Sequence, residues 1–240
     1  MEYNLRVLEQ GCREYGISLD EKQKQQFVRY YELLTEWNKV MNLTGITEFE
    51  EVLLKHFADS LSIAKCMDMT RISSCIDVGT GAGFPGIPLK IAFPHLKITL
   101  LDSLNKRLKF LDQVIEELGL ERIETVHGRA EDGARKAEYR EQYDLSVSRA
   151  VSRLASLCEY CMPYVREGGY FVSYKSGKAA EEIAEAGKAI QVLGGKVIKE
   201  DDFCLPDTLM ERTLVVIKKV KSTPKKYPRK AGMPTKEPIL

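Results

Sequence analysis

The sequence predicts an α/β fold: a seven-stranded, mostly parallel sheet with helices on both faces, an antiparallel last strand, and an N-terminal helical extension. Three observations predict it. From about residue 70, short β-rich runs alternate with helical runs, and that alternation requires crossover connections and hence parallel strands. The last two strand candidates have no helix between them, only a loop containing Pro206. The first 65 residues read as helices alone.

The elements follow in order. Ser18 and Glu21 are spaced as a capping box, ahead of a run in which Phe27, Tyr30, Tyr31, Leu34, Trp37 and Met41 share one helical face. That stripe is expected to dock on the main domain. Thr47 and Glu50 mark a second capped start, leading through residues 50–65. Strands are expected at Ser74–Val78, Lys97–Leu101, Ile123–Val126, Tyr143–Val147, Gly169–Tyr174, Lys196–Phe203 and Thr213–Lys219. Between them FPGIPLKIAF, KRLKFLDQVIEELG, SRLASLCEYCMPYV and AEEIAEAGKAIQVLGG read as helices. The tail has four prolines and many lysines, and is expected to be irregular, extended and surface-lying. The chain thus divides into a helical region over 1–65, a main domain over 66–220 and a basic tail over 221–240.

Composition narrows the class. Of 240 residues, 44% are hydrophobic and 30% charged, which is enough apolar material for a core without a bias to disorder. No apolar run approaches transmembrane length, and the mixed N-terminus lacks the regions of a signal peptide, so a cytoplasmic protein with no membrane partner is expected. The six cysteines sit mostly in apolar runs, and Cys158 and Cys161 form a CxxC without a second pair. They are read as packing residues, and no metal is expected. Nothing demands a dimer, so a monomer is expected. The net charge of +1 hides an asymmetry: residues 1–211 carry 27 Lys/Arg against 34 Asp/Glu, or −7, and residues 212–240 carry nine against one, or +8. Such a tail meets polyanions or lies solvated, and charge alone does not choose.

The strongest motif is IDVGTGAGFPG, residues 76–86. Asp77 ends the first strand, Gly79, Gly81 and Gly83 follow at alternate positions, and a helix begins shortly after. The glycines let the backbone turn and approach a ligand, and amides at a helix start face a polar group. A dinucleotide places its pyrophosphate here and wants no acid at the strand end. S-adenosylmethionine has no phosphate but carries an ammonium and a sulfonium, so Asp77 suits it, directly or through water. Residues 81–86 also spell GxGxxG, but late, since the first glycine of a dinucleotide loop follows the strand at once. A purely structural glycine turn is the third reading, and the acid, spacing and flanking elements together weigh against it.

Asp102 ends the second strand, 25 residues after Asp77, near the spacing of about 20 at which an acid meets ribose hydroxyls. A helix cap for the run from Asn105 is nearly as good a reading. Ala130 and Glu131 follow the third strand, at the edge where an adenine ring lies, although Glu131 also reads as a first-turn acid. The fourth strand ends Ser146-Val147-Ser148-Arg149, at the carboxyl end of the sheet where acceptor chemistry belongs. It lacks the Asp/Asn-Pro-Pro-aromatic element of many exocyclic-amine methyltransferases, and no cysteine sits where a carbon-5 pyrimidine enzyme needs its nucleophile. Arg149 is a ligand candidate or a structural ion pair. Seven strands with an antiparallel finish form the Rossmann-like class I methyltransferase pattern.

With these residues in place, the chain resembles the bacterial 16S rRNA guanine-N7 methyltransferase family, also called glucose-inhibited division protein B. The matches run from Asn42 onward: NLT at 42–44, HFADSL at 56–61, DVGTGAGFPGIPL at 77–89, DS at 102–103 with KR at 106–107, GRAE at 128–131, SRA at 148–150, YK at 174–175, ERTLVVI at 211–217 and KYPRKAGMPTKEP in the tail. The tail and HFADSL are the specific elements; the glycine segment is common to many methyltransferases. Phe84 stands where leucine is frequent. The resemblance implies methyl transfer from S-adenosylmethionine to N7 of one guanine in a decoding-region loop, with 16S rRNA, the small ribosomal subunit or its assembly intermediate as partner. It implies cofactor contacts at Gly79, Phe84, Ala130, Glu131 and Arg149, beside Asp77, Gly81, Gly83 and Asp102. It makes Asp59, Arg129, Lys175 and Arg212 candidates for binding RNA or shaping the site.

Guanine N7 holds a free in-plane lone pair, so such a reaction needs no general base, and the chain shows no obvious acid–base pair. Asp59, Arg149 and Lys175 are taken as the catalytic group, with Asp59 stabilising the cationic product. Arg129, Arg212, Lys225, Lys226, Arg229 and Lys230, with Lys218, Lys219 and Lys221, are expected to meet RNA. Two alternatives stand beside this reading. An NAD-dependent Rossmann oxidoreductase would want a Tyr-xxx-Lys near Tyr170, which fails because residue 174 is tyrosine and the lysine is Lys175. A non-catalytic RNA-binding module would not need the intact glycine loop.

Overall fold

A computed structural model of the chain describes residues 3–149, 151–177 and 179–240. It opens with α1 (Arg6–Glu14) and α2 (Glu21–Asn38). The capping box on α2 is Asp20 with Gln23, each side chain bonding the other's backbone N–H at 2.8 Å, two residues beyond the Ser18/Glu21 spacing. Gln23 also donates to the Ile91 carbonyl at 2.8 Å, so one side chain caps the helix and ties it to the main domain. The apolar stripe docks as expected. Phe27 and Tyr30 are fully buried against Phe57, and Tyr30 also stacks toward Phe110. Each such buried aromatic contributes about 1.5–3 kcal/mol from area alone. Trp37 is only partly buried and donates to Gln113 at 2.9 Å.

The second helical run is α3 (Phe49–Val52), a π turn over Leu53–Ala58, α4 (Asp59–Leu61) and a 3₁₀ turn over Ser62–Lys65. Its N-cap is Glu48 with no side-chain bond, and the Thr47 carbonyl instead accepts from Tyr31. A π turn widens the helix and often marks a functional segment; this one carries His56 and delivers Asp59.

Seven strands among the described residues form one sheet in the order β3-β2-β1-β4-β5-β7-β6. They are β1 (Ser74–Val78), β2 (Lys97–Asp102), β3 (Ile123–His127), β4 (Tyr143–Arg149), β5 (Val165–Ser176), β6 (Gly195–Cys204) and β7 (Glu211–Lys219). The first five are parallel, and β7 lies between β5 and β6, antiparallel to both. The antiparallel finish is therefore inserted one place inside the edge. β5 starts earlier than Gly169 because Val165 pairs with Tyr143 before a bulge. The intervening Gly168-Gly169 has the composition of a turn, yet Gly169 is needed in the sheet: a Cβ there would meet the Asp144 carbonyl oxygen at 2.6 Å.

Alternate residues of each central strand feed two cores. Leu145, Val147, Leu214 and Val216 pack with α1, α2, α5 (Gly86–Ala92) and α6 (Asn105–Glu117). Phe171, Val215 and Ile217 pack with α8 (Leu154–Cys161) and α10 (Gly187–Val192) on the other face. The short α7 (Ala130–Gly133) follows β3, and α9 (Ala180–Glu185) precedes α10, the expected single helix being broken at Ala186. No helix among the described residues is long and apolar enough to cross a membrane.

The tail departs from the expected extended strip. It lies back on the α8 side, ends in a short helix, α11 (Met233–Lys236), and buries Thr223, Pro228 and Pro234. Arg140 donates to the carbonyls of Thr223 and Tyr227, and Arg135 to that of Pro228, replacing the ladder bonds that a proline-rich segment cannot make.

Candidate active site

The carboxyl ends of β1, β2, β3 and β4 open onto a cavity of about 690 Å³. Its floor is the glycine loop. Gly79 and Gly81 have φ of 74° and 62°, a region that L side chains rarely adopt, and both line the cavity with Thr80. A Cβ on Gly79 would also meet Val151 at 2.8 Å. Asp102, Ala130, Glu131 and Arg129 stand along the β2–β3 side, and Phe84, Arg149 and His56 on the opposite side.

Asp102 is 3% exposed. It accepts from Gly81 N at 2.9 Å and from Leu104 N at 2.8 Å, with Arg107 at 3.4 Å, and it still lines the cavity. Two expected wall residues lie elsewhere. Asp77 is fully buried beneath the loop, where one oxygen accepts from Thr80 Oγ1 at 2.7 Å and from Gly86 N at 2.8 Å. It thus caps α5, with its negative charge at the helix's positive end. Burial raises its pKa to about 6 despite those two bonds. Its other oxygen has no protein partner. Gly83 also stands outside the wall: a Cβ there would meet Tyr30 Oη at 2.6 Å and Ile87 at 2.7 Å, so its role is to let the loop close onto α2.

Arg149, at the end of β4, is the junction of the site. It donates to Asp59 Oδ2 at 3.0 Å and to the Lys55 carbonyl at 3.2 Å in the π turn, and lies over the Phe84 ring at 5.0 Å. His56 stacks on the same ring at 4.5 Å. Burial, then the Arg149 charge, push the His56 pKa down to about 3, so its ring is neutral. His56 Nδ1 lies 3.3 Å from Arg149 Nη2 and 3.2 Å from the Lys55 carbonyl, and Nε2 lies 2.8 Å from Thr44 Oγ1. Ala150, the last residue of the SRA match, lies outside the described residues.

A second cavity of about 370 Å³ adjoins the first, with His56 and Arg149 in both walls. It is lined by Asp59, Lys175, Glu182 and Arg212. Asp59 is 4% exposed and held between two cations, Arg149 and Arg212, the latter at 3.1 Å. Lys175 pairs with Glu182 at 2.6 Å and donates to the Ser152 carbonyl.

The expected RNA contacts divide. Arg129, Lys225, Lys226 and Lys230 are exposed. Arg212 is turned inward onto Asp59. Arg229 is bound to Glu159, which is 1% exposed, through Nε and Nη2 at 2.7–3.1 Å. Lys219 is fully buried, donates to the Met162 carbonyl and Thr223 Oγ1 at 2.7 Å, and pairs with Glu141 at 3.1 Å. A phosphate does not reach it, which corrects that expectation.

Sequence reading assigned no role to Leu43, Thr44, His56, Tyr160 or Glu182, which the structure brings into these walls. The first three sit within the NLT and HFADSL matches, so a signal was present; Glu182 and Tyr160 carried none, lying in ordinary helical patterns.

The family model for GidB, rRNA small subunit methyltransferase G, matches residues 23–206. The chain belongs to that family. A ribosomal RNA small subunit methyltransferase G from Lachnoclostridium phytofermentans is 57% identical over 231 residues, covering 96% of both chains. Relatives of the same name from Alkaliphilus metalliredigens and Brevibacillus brevis are each 53% identical, covering 97% and 94% of this chain and 98% and 94% of theirs. Among solved structures, an S-adenosylmethionine-dependent O-methyltransferase from Thermotoga maritima aligns with a TM-score of 0.52 at 18% identity, covering 80% of this chain and 72% of the other. A mutant of MtNAS in complex with S-adenosylmethionine aligns at 0.53 and 13%, covering 84% and 73%. At those identities the likeness concerns the fold, and it is the methyltransferase form of the Rossmann-like sheet that the strand pattern predicts.

Proposed function

We propose that this chain transfers the methyl group of S-adenosylmethionine to N7 of a guanine in the decoding-region loop of 16S rRNA, in the small subunit or its assembly intermediate. The observation that carries the reading is the pair of adjoining cavities that share Arg149 and His56, in a member of the rRNA small subunit methyltransferase G family.

The larger cavity fits S-adenosylmethionine. Its volume lies within the range of about 300–1,000 Å³ of small-molecule sites. Asp102 presents a carboxylate at the end of β2 for ribose hydroxyls, the Gly79–Gly81 backbone approaches closely, and Leu101 and Ala130 give an apolar slot. The same features disfavour a dinucleotide. Its pyrophosphate would need the N-terminus of α5, which the Asp77 carboxylate already caps, and would face Asp102 against Gly81 N.

S-adenosylmethionine supplies a methyl group activated as a sulfonium, so guanine N7 attacks with its own lone pair and no base is needed. The protein's contribution is orientation and charge. The smaller cavity takes the acceptor base, with Lys175 and Arg212 as donors and Glu182 as an acceptor at its edges. His56, neutral, forms an apolar and aromatic wall with Phe84 between the two ligands. Asp59 balances Arg149 and Arg212 so that a developing positive charge on the base does not meet two uncompensated cations. The exposed Lys225, Lys226, Lys230 and Arg129 meet phosphates, which position the RNA without reading it.

The test is methyl transfer from labelled S-adenosylmethionine to small subunits from cells lacking the enzyme, with the modified base mapped. Label on a single guanine N7 is expected. Label elsewhere, or none while the cofactor binds, refutes the substrate.

A further inference from the structure

The segment after β7 holds two residues of the larger cavity's wall. Gly232 N donates to Glu131 Oε1 at 2.8 Å, and Thr235 Oγ1 hydrogen-bonds the Tyr160 hydroxyl at 2.6 Å. Glu131 and Tyr160 both line that cavity, whereas no residue of the segment does. The holding points are themselves fastened. Arg229 gives its backbone N–H, Nε and Nη2 to Glu159, the neighbour of Tyr160 on α8. Ser156, one turn earlier on α8, donates to the Pro234 carbonyl at 2.8 Å. Gly232 has a φ of 82°, which places a glycine at the turn where the N–H meets Glu131. A carboxylate buried to 1% exposure is costly to desolvate and is kept only with close partners. Here both of its oxygens serve to seat one arginine of a segment 70 residues away.

These contacts convert two flexible side chains of the wall into fixed ones. Oε1 of Glu131 is taken by the tail, which sets the direction of its other oxygen. Tyr160, on the last full turn of α8, has its hydroxyl anchored outward so that its ring forms a constant surface.

We propose that residues 229–235 are a clasp that positions Glu131 and Tyr160 for the adenosine half of S-adenosylmethionine, so that cofactor affinity depends on a segment that never touches the cofactor. The inference rests on the cofactor reading of the larger cavity. Gly232, Thr235 and Arg229 are positioning residues.

The experiment titrates S-adenosylhomocysteine, and separately adenosine, into the full chain and into Thr235→Val, Thr235→Ser and Gly232→Ala, with the melting temperature of each recorded. Thr235→Val removes the partner of Tyr160 at nearly constant size. Gly232→Ala introduces a Cβ with no atom within 4 Å and acts only by disfavouring the positive φ. Thr235→Val and Gly232→Ala are each expected to weaken both ligands by about 3- to 10-fold, the worth of one hydrogen bond, with melting shifted by only a few degrees. Thr235→Ser, which keeps the hydroxyl, is expected to bind as the unaltered chain does. Affinities within about twofold of the unaltered chain in both disruptive variants would overturn the clasp. So would a loss in Thr235→Ser equal to that in Thr235→Val, or a loss confined to S-adenosylhomocysteine. If the unaltered chain binds neither ligand, the cofactor reading fails and the clasp with it, an outcome distinct from intact binding with indifferent variants.

Discussion

Replacing Asp59 by asparagine removes the charge that Arg149 and Arg212 share while keeping the side chain's size. The side chains of Asp59, Arg149 and Arg212 are 6%, 13% and 19% exposed, so solvent does little to screen the loss. Breaking a buried pair by neutralising one partner costs about 3–5 kcal/mol. Asparagine keeps one acceptor oxygen but presents an NH₂ donor to the other arginine, so about 3 kcal/mol is expected. For a chain of this size that lowers the melting temperature by roughly 6–12 °C. The larger effect falls on turnover. Both arginines lose their shared anchor, and the acceptor base then faces two uncompensated cations as it becomes cationic. A fall in kcat/KM of about 100-fold is expected, equivalent to about 2.7 kcal/mol of transition-state stabilisation. Cofactor affinity should change by less than about threefold, since Arg149 keeps its bonds to the Lys55 carbonyl and its place over Phe84. Turnover is read by methyl incorporation into unmodified small subunits at a temperature where both proteins are folded, and binding by calorimetry. Equal losses in turnover and cofactor affinity, or turnover left intact in a protein that merely melts earlier, would refute this role for Asp59.

Four further outcomes are expected. Asp77→Asn should gain stability relative to the unaltered chain as pH rises: a folded pKa of about 6 lies above the ordinary carboxylate value, so Asp77 favours folding when protonated below about pH 4 and loses that contribution through pH 6, by up to about 3 kcal/mol; paired denaturant titrations at pH 4 and pH 8 check it. His56 works in the opposite sense, its lowered pKa giving stability that is present above about pH 6.5 and lost toward pH 3, so His56→Phe should flatten the acid arm of the stability profile measured by melting. Gly83→Ala should destabilise by more than Gly81→Ala, because Gly83 has Tyr30, Ile87 and Leu111 all within 3 Å of the added Cβ whereas Gly81 has only a carbonyl at 4.0 Å; thermal melts of both compare them. Lys225, Lys226 and Lys230 changed together to alanine should flatten the dependence of log affinity for RNA on log salt by about 2 to 3, at roughly 0.7–0.9 per phosphate, and an unchanged slope in filter binding would remove them from the interface.

The sheet was legible because its central strands, buried on both faces, are short β-rich runs set between helical patterns, and every expected strand lies within an observed one. The glycine loop was legible as a tight turn after β1, and Gly79 and Gly81 do line the cavity while Gly83 packs against α2. What the sequence left open was direction. Asp77 and Asp102 both end strands with a carboxylate, yet Asp77 points under the loop to cap α5 while Asp102 stays in the wall, and nothing in the local spacing separates the two. The α2 cap fell two residues late because Gln23 is held by Ile91, a partner 68 residues away. Glu182 gave no sign in its helical run because its role exists only once β5 brings Lys175 to it.

The charge asymmetry shows how far such non-local pairing changes a sequence-level inference. Nine cations against one acid after residue 211 read as a polyanion-binding strip. Three of the nine are turned inward: Arg212 to Asp59, Lys219 to Glu141 and Arg229 to Glu159. Those three acids all belong to the part of the chain that counted as −7, so the two imbalances partly cancel inside the fold. Of the other six, Lys218 is half-buried and Lys221, Lys225, Lys226, Lys230 and Lys236 are exposed. A strip of lysines without its arginines attracts phosphate as point charges and lacks the bidentate fork that fixes orientation. Under the proposed function, orientation then comes from the cavity end, where Arg149 and Arg212 are already set by Asp59, with the tail lysines as the proposed phosphate contacts.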